Sequence, residues 1–460
     1  MDFFIIFGHR IELQIFNIDL IRNPMKNFTQ ISVVLFLVVT SVFGQQQKGI
    51  TGSTNWLSNW TEFSPAQTNY REPTQIITGT ITEDTNLSKR ETYLLVGSVF
   101  VANNAVLTIE PGTVILADFD SKASLTISKG SKIMAEGLET DPIVFTSNRS
   151  SKRPGDWGGI MILGDAPTNK FGNGSTSSYH FNITPADYAY TNFGGDNAEC
   201  NSGVLNYVRI EFAGKRTKKA GYFNGLLLAC VGSKTTINNV MVSYCAGDAF
   251  KVWGGKLSIN NAVSYRTNSN DFTFNYGTQC DIENSLAIRS PYASSSEGSR
   301  CLEVLSYEKE DEVDFSRAST LVKAKNITMI TDSENLKMDM ERGLVSEAVF
   351  IGTNTILEMN KSVISGFNPA VVLDDKIALN QSNLEKIGFT DMYFNNCNGN
   401  IFIENNSNND DLENWYGAPT FFNVYSKGPN SETFIDMFNK RTPDYRLKIS
   451  KIVASNQDDD

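Results

Sequence analysis

Leu107-Thr-Ile-Glu-Pro-Gly112 returns eighteen residues later as Leu125-Thr-Ile-Ser-Lys-Gly130, and Ile143-Val-Phe145 stands eighteen further on with Ile143 and Phe145 in the places of Leu107 and Ile109. Ile115 and Ile133 keep the same spacing after the glycine. Farther along, Ile237-Asn-Asn239, Ile259-Asn-Asn261 and Ile282-Glu-Asn284 recur at 22 and 23 residues, and Asp248-Ala-Phe250-Lys-Val252 matches Asn270-Asp-Phe272-Thr-Phe274 at 22. Periods of this size, carrying short β-branched strands and no helical periodicity, are the signature of a β-solenoid.

An all-β, right-handed parallel β-helix is the expected architecture. Each coil would pair in parallel with the next about 4.8 Å away, so that equivalent side chains stack. Leu107, Leu125 and Ile143 are then expected to stack inward on one sheet. Asn239, Asn261 and Asn284 would occupy stacked turns, where Asn tolerates left-handed backbone and its amide can bond its neighbour one coil on. A large antiparallel sandwich is the competing reading, but it does not require successive strands to be alike.

Three regions interrupt the period. Residues 45–85 hold Trp56, Trp60, Phe63 and Tyr70 and are expected to form an N-terminal cap, because an open solenoid end exposes core and strand edge. Residues 165–203 and 290–318 are polar and read as two long loop excursions. The β-helix is placed at 86–425, and residues 426–460, ending in three aspartates, as a C-terminal cap and acidic tail.

Residues 1–44 read as an upstream extension and a signal peptide. Met25-Lys-Asn-Phe-Thr-Gln precedes the apolar run Ile31 to Thr40, with small residues up to Gly44. That pattern predicts export, to a secreted, periplasmic or cell-surface location, with Met25 as a candidate start. No later stretch is apolar for long enough to be a transmembrane segment. A net charge of −11, from 40 basic and 51 acidic residues, argues against a nucleic-acid partner. The cluster Lys215-Arg216-Thr217-Lys218-Lys219 reads as a solvated loop. Of the two histidines, His9 precedes the leader, which leaves only His180 and excludes a two-histidine metal site. The six cysteines, Cys200, Cys230, Cys245, Cys280, Cys301 and Cys397, permit disulfides after export or stand as isolated buried thiols.

A resemblance rests on longer motifs. Leu107-Thr-Ile-Glu-Pro-Gly-Thr-Val, Pro142-Ile-Val-Phe-Thr-Ser and above all Gly155-Asp-Trp-Gly-Gly-Ile-Met-Ile-Leu-Gly-Asp-Ala-Pro-Thr-Asn169 are similar to a family of exported parallel β-helix proteins abundant in Bacteroidetes, pectin-lyase-like in coil architecture. Asn201 to Gly214, Asn224-Gly-Leu226 and Trp253-Gly-Gly255 extend the match, from about Trp56 to Phe367. The resemblance implies fold and export, and carries no activity with it. Where relatives show paired acids followed by an aromatic and another acid, this chain has Gly247-Asp248-Ala249-Phe250-Lys251 and Asn270-Asp271-Phe272-Thr273. Asp248, Asp271 and Glu303 remain of that row.

Those residues define the catalytic alternative, a polysaccharide lyase. Such an enzyme holds a cation, of which Ca²⁺ is the type, on several carboxylates to acidify a carbon-bound proton, and uses Arg or Lys as base. Asp248 and Asp271, one coil apart, would bring their carboxylates close, with Arg266, Arg289 or Arg300 near. The competing role for each aspartate is a turn residue bonding its own backbone. A polygalacturonase-like hydrolase would use clustered aspartates with a Gly-His-Gly histidine, and the tripeptide is absent. The leading expectation is a non-catalytic protein that binds a glycan or surface partner along the coil face. Trp157, Trp253 and Tyr276 are its candidate binding residues, the last two as a stacked outward platform. No resident metal or other cofactor is assigned in that reading.

Overall fold

The computed structural model describes residues 48–448, apart from 181–182, 296–297, 407–408 and 440. Between Gln75 and Ser426, 29 strands join by parallel pairing. They form three stacks along a solenoid, so the chain is a parallel β-helix as its repeats predict.

One coil shows how the sequence builds it. Lys256–Asn260 lies on the stack called here sheet 2, Val263–Tyr265 on sheet 3 and Phe272–Asn275 on sheet 1, before Gln279–Glu283 returns to sheet 2. Alternation within each strand sends Ile259, Val252 and Phe274 into a dry interior and their neighbours outward; all three are buried. Equivalent positions stack in register, Ile237 on Ile259 on Ile282 in sheet 2 and Phe250 on Phe272 on Leu302 in sheet 1. The rings of Phe250 and Phe272 lie 5.1 Å apart and nearly parallel.

The turn from sheet 2 to sheet 3 is a single left-handed residue. Asn239, Asn261 and Asn284 have φ of 49°, 52° and 50°, a conformation that costs most side chains dearly and Asn least. The Asn284 amide donates to Asn261 Oδ1 at 2.8 Å, linking successive coils.

The eighteen-residue repeat has a different geometry from the one expected. Leu107 pairs with Ile133, Leu125 with Ile160 and Ile143 with Val208. All three point inward, but they lie on sheets 2, 1 and 3 respectively. Early coils have three short sides, and eighteen residues advance the chain by two of them, so the repeat marks inward positions on successive sheets instead of one stack.

The terminal segments also differ from the caps expected of them. Residues 48–74 do not cover the first coil; they run back along the outer face of sheet 3, against the direction in which the coils advance. Lys48 pairs with Asp391 at 3.0 Å. Gly49 N–H then bonds Lys361 O, Ile50 N–H bonds Thr328 Oγ1 and Thr51 N–H bonds Asn284 Oδ1. Trp60 meets the Tyr207 ring edge-on, and Tyr70 accepts from Arg209. Trp60 and Phe63, two of the aromatics that singled this segment out, pack together with Leu57 on Met241, Val263, Tyr265 and Leu286, which sheet 3 presents outward. The carboxy-terminal pair Phe434–Asp436 and Asp444–Leu447 joins the same layer through Phe434, Tyr445 and Leu447. Closure of the core at that end falls to the helix Asp410–Tyr416, whose Leu412 and Tyr416 enter the interior. The second excursion, 290–318, is divided by the strand Leu302–Val304. All six cysteines are free thiols. The leader at 1–44 lies outside the described residues, among which no helix is long and apolar enough to cross a membrane.

Candidate functional site

With sheet 3 covered by both chain ends, the outer face of sheet 1 is where the excursions gather. A cleft of about 870 Å³ opens there, with Asp248, Lys251 and Trp253 of one coil, Asn270 and Tyr276 of the next and Glu303 of the third on its floor and walls. Outward positions of parallel strands stack coil on coil, and Lys251, Thr273 and Glu303 form one such row. Asp248 and Asn270 come from the turns that lead into these strands.

Asn270 holds the two carboxylates in place. Its backbone N–H donates to Asp248 Oδ1 at 3.2 Å and its side-chain amide donates to Glu303 Oε2 at 3.0 Å. Ser269 Oγ–H donates to the same Asp248 oxygen at 2.6 Å. Each acid also has a cation: Lys251 Nζ lies 3.3 Å from Asp248 Oδ2, and Arg300 Nη1 lies 2.5 Å from Glu303 Oε1. Burial raises the pKa of Glu303, reinforced by Asp248 and opposed by Arg300 and Lys251. For Lys251 burial disfavours the ammonium, yet Asp248, Tyr179, Glu308 and Glu303 outweigh it and raise the pKa, so the side chain stays protonated.

Aromatic side chains form the wall facing these charges. Trp253 is half-buried, meeting Tyr179, Phe193 and Tyr276 with ring centroids 5.9–6.2 Å away. Its Nε1 is buried without a hydrogen-bond partner. Trp253 and Tyr276 cross at 75°, so they make a corner of the cleft and not the stacked platform expected of them. Tyr276 is only 3% exposed. Lys170 Nζ sits 4.3 Å over its ring, while its hydroxyl donates to Glu312 at 3.3 Å. Lys170 and Glu312 are themselves paired at 2.8 Å, which ties the two excursions together above the tyrosine.

Asp271 and Trp157 fall outside the cleft. Asp271 is offset by one residue from Asp248, since Asp248 aligns with Asn270. Asp271 lies in the turn just before the strand Phe272–Asn275, and there its side chain turns into the coil instead of following the strand's alternation, fully buried, with Arg289 Nη1 3.1 Å away and Ser264 donating to it. Trp157 is fully buried as well, stacked on Phe145 with Nε1 donating to Glu211 O at 2.8 Å. Of the arginines considered as bases, Arg289 is spent on Asp271, Arg300 on Glu303 and Glu347, and Arg266 on Asp332 over sheet 3. The sequence reading missed Lys251, Asn270 and Tyr179 as members of the site. Lys251 was visible as the outward neighbour of Phe250; Tyr179 comes from an excursion with no periodicity to place it.

A family model described as a pectate-lyase like beta helix domain matches residues 79–424. No curated protein matches the chain. A solved structure of pectin methylesterase in complex with a hexasaccharide is similar over 67% of this chain and 82% of that one, at 8% identity and a TM-score of 0.28.

Proposed function

Since the chain belongs to the pectate-lyase-like β-helix domain family, we propose that it is an exported protein that binds a glycan in the cleft over sheet 1. The observation that carries this reading is the pairing, in one open cleft, of an aromatic wall of Trp253, Tyr179 and Tyr276 with the fixed polar set Asp248, Lys251, Asn270 and Glu303. Sugar rings present an apolar face to aromatics and a rim of hydroxyls to paired donors and acceptors, and this surface offers both. Its charges are already matched within the protein, Asp248 by Lys251 and Glu303 by Arg300, which suits recognition better than proton transfer. The leader pattern at 25–44 supports export.

A catalytic second reading has one observation in its favour. Glu303, pushed by burial toward its protonated form, and Asp248 share Asn270, which is the asymmetry of a general acid beside a carboxylate base. The three-carboxylate cation site of a lyase loses support, because Asp271 points into the coil.

A glycan array run with reducing-end and unsaturated-product assays, with and without Ca²⁺, tests both. Binding without turnover, weakened about tenfold or more in Trp253→Ala, supports the binder. Turnover abolished in Glu303→Gln replaces it with the enzyme, and absence of binding to any glycan overturns both.

A further inference from the structure

Beside the cleft, sharing Ser178, Tyr179 and Lys219 with it, lies a smaller pocket of about 200 Å³ lined by Ser98, His180, Phe223, Lys122 and the run Lys215 to Lys219. Five cationic side chains face this space and no carboxylate lines it among the described residues. In a chain of net charge −11, such a concentration is local and specific. Lys215 lines the pocket with its stem, its ammonium held by Phe119 O at 3.3 Å and Asp156 O at 3.5 Å. Arg216 leans on the Tyr222 ring at 5.6 Å. Neither Lys215, Arg216, Lys218 nor Lys219 is in an ion pair among the described residues.

The second observation is His180. It is 7% exposed, tilted at 50° against the Phe100 ring 4.9 Å away and edge-on to Phe223 at 6.1 Å. Its Nδ1 is 3.2 Å from Ser98 Oγ, whereas Nε2 is buried with no partner among the described residues. A buried polar atom without a partner is costly, and here that atom belongs to a residue lining a pocket walled by cations. If Ser98 donates to Nδ1, Nε2 carries the hydrogen and is a donor awaiting an acceptor.

We propose that this pocket binds an oxyanion, a sulfate ester or carboxylate carried by the glycan in the neighbouring cleft, with His180 Nε2, Lys218 and Lys219 as its donors. Tetrahedral or planar oxyanions supply the acceptors that these groups lack, and ammonium donors clustered without counter-charge favour them. The step from a free anion to a substituent of a sugar chain rests on the cleft being a saccharide site; the anion site itself does not.

The chain has two histidines, so protein labelled with ¹⁵N only in histidine gives a spectrum in which His180 is identified by His180→Gln. Sodium sulfate is titrated against sodium chloride at constant ionic strength and neutral pH. We expect sulfate alone to give a saturable shift of the His180 nitrogens, with Nε2 in its protonated form. The double variant Lys218→Ala/Lys219→Ala should weaken this response about tenfold or more while leaving the sulfate-free spectrum unchanged. Trp253→Ala should leave it intact, so the cleft reading can fail while the anion site stands. Sulfated and uronate oligosaccharides then distinguish the two sources, the true one acting at lower concentration than free sulfate. His180 signals that respond no differently to sulfate than to chloride, or a sulfate response unchanged in the double lysine variant, overturn the proposal.

Discussion

Asp248 and Asp271 are one coil apart and lie on opposite sides of the same sheet, the first facing Lys251 across the open cleft and the second sealed inside against Arg289. A single residue of offset separates a side chain of the cleft from one of the core. Two charges buried together are tolerated because each satisfies the other, and removing either strands its partner without water.

Asp271→Ala should therefore cost about 3–5 kcal/mol of stability and leave ligand contacts in the cleft untouched once the protein is folded. Asp271→Ala combined with Arg289→Met should recover much of that loss. Urea denaturation of the two variants provides the measurement; a single variant as stable as the parent would show that the pair is not integral to the core.

The two tryptophans of the sequence reading should behave oppositely. Trp157→Ala opens a cavity in the interior and is expected to cost about 3–5 kcal/mol, seen as a drop in Tm with no change in glycan affinity of the folded fraction. Trp253→Ala should lower Tm little and weaken glycan binding. Equal effects on stability would contradict the different surroundings of these rings.

Asn261 supplies a backbone test. Replacing it with Ala forces a left-handed alanine and removes the amide link to Asn284, for an expected loss of about 1–2 kcal/mol. Asn261→Gly, which adopts this conformation freely, should lose less than the alanine variant. Chemical denaturation of the two variants compares them directly.

His180 gives a pH dependence of known sign. Burial pulls its pKa down to about 4 from 6.5, among the rings of Phe100 and Phe223, Ser98, Tyr179 and the cations Lys122, Lys215, Arg216, Lys218 and Lys219. The unfolded chain takes up this proton first, so stability is full above about 6.5 and falls as pH drops toward 4, by up to about 3 kcal/mol. The difference in unfolding free energy between parent and His180→Gln should carry this slope; a difference that is flat across the window would rule it out. Sulfate, if bound beside the imidazole, should make the decline shallower.

What could be read in the sequence follows from which features repeat. Asn239, Asn261 and Asn284 were legible because successive coils, on to Asn326, meet the same left-handed corner with the same residue, whereas Tyr207, Lys361 and Asp391 take that corner in other coils and gave no such signal. Leu107, Leu125 and Ile143 were legible as inward positions but not as members of particular sheets, since the repeat records which way a residue points and not how many sides a coil has. That Asp271 is not the counterpart of Asp248 was contained in the match of Phe250 with Phe272, which sets Asp248 opposite Asn270; its inward direction was not legible, because it is set by the turn before the strand and runs against the alternation of Phe272 and Thr273. The cleft wall could not be reached this way. Tyr179, Lys170 and Glu312 sit on excursions without period, and their meeting over sheet 1 is set by contacts between distant segments.

Lys48 is anchored to Asp391, Met392 and Phe422, residues made more than three hundred positions later. During synthesis the coils can form one upon another as they emerge, yet the first residues of the segment that precedes them have no place to lie until nearly the last has been laid down. Its docking then couples Asp391, Lys361, Thr328, Asn284 and Tyr207 in a single event. Stacked repeats ordinarily melt piecemeal, each held only by its neighbours; a tether laid across many of them ties the loss of one coil to contacts on the others and so favours concerted unfolding.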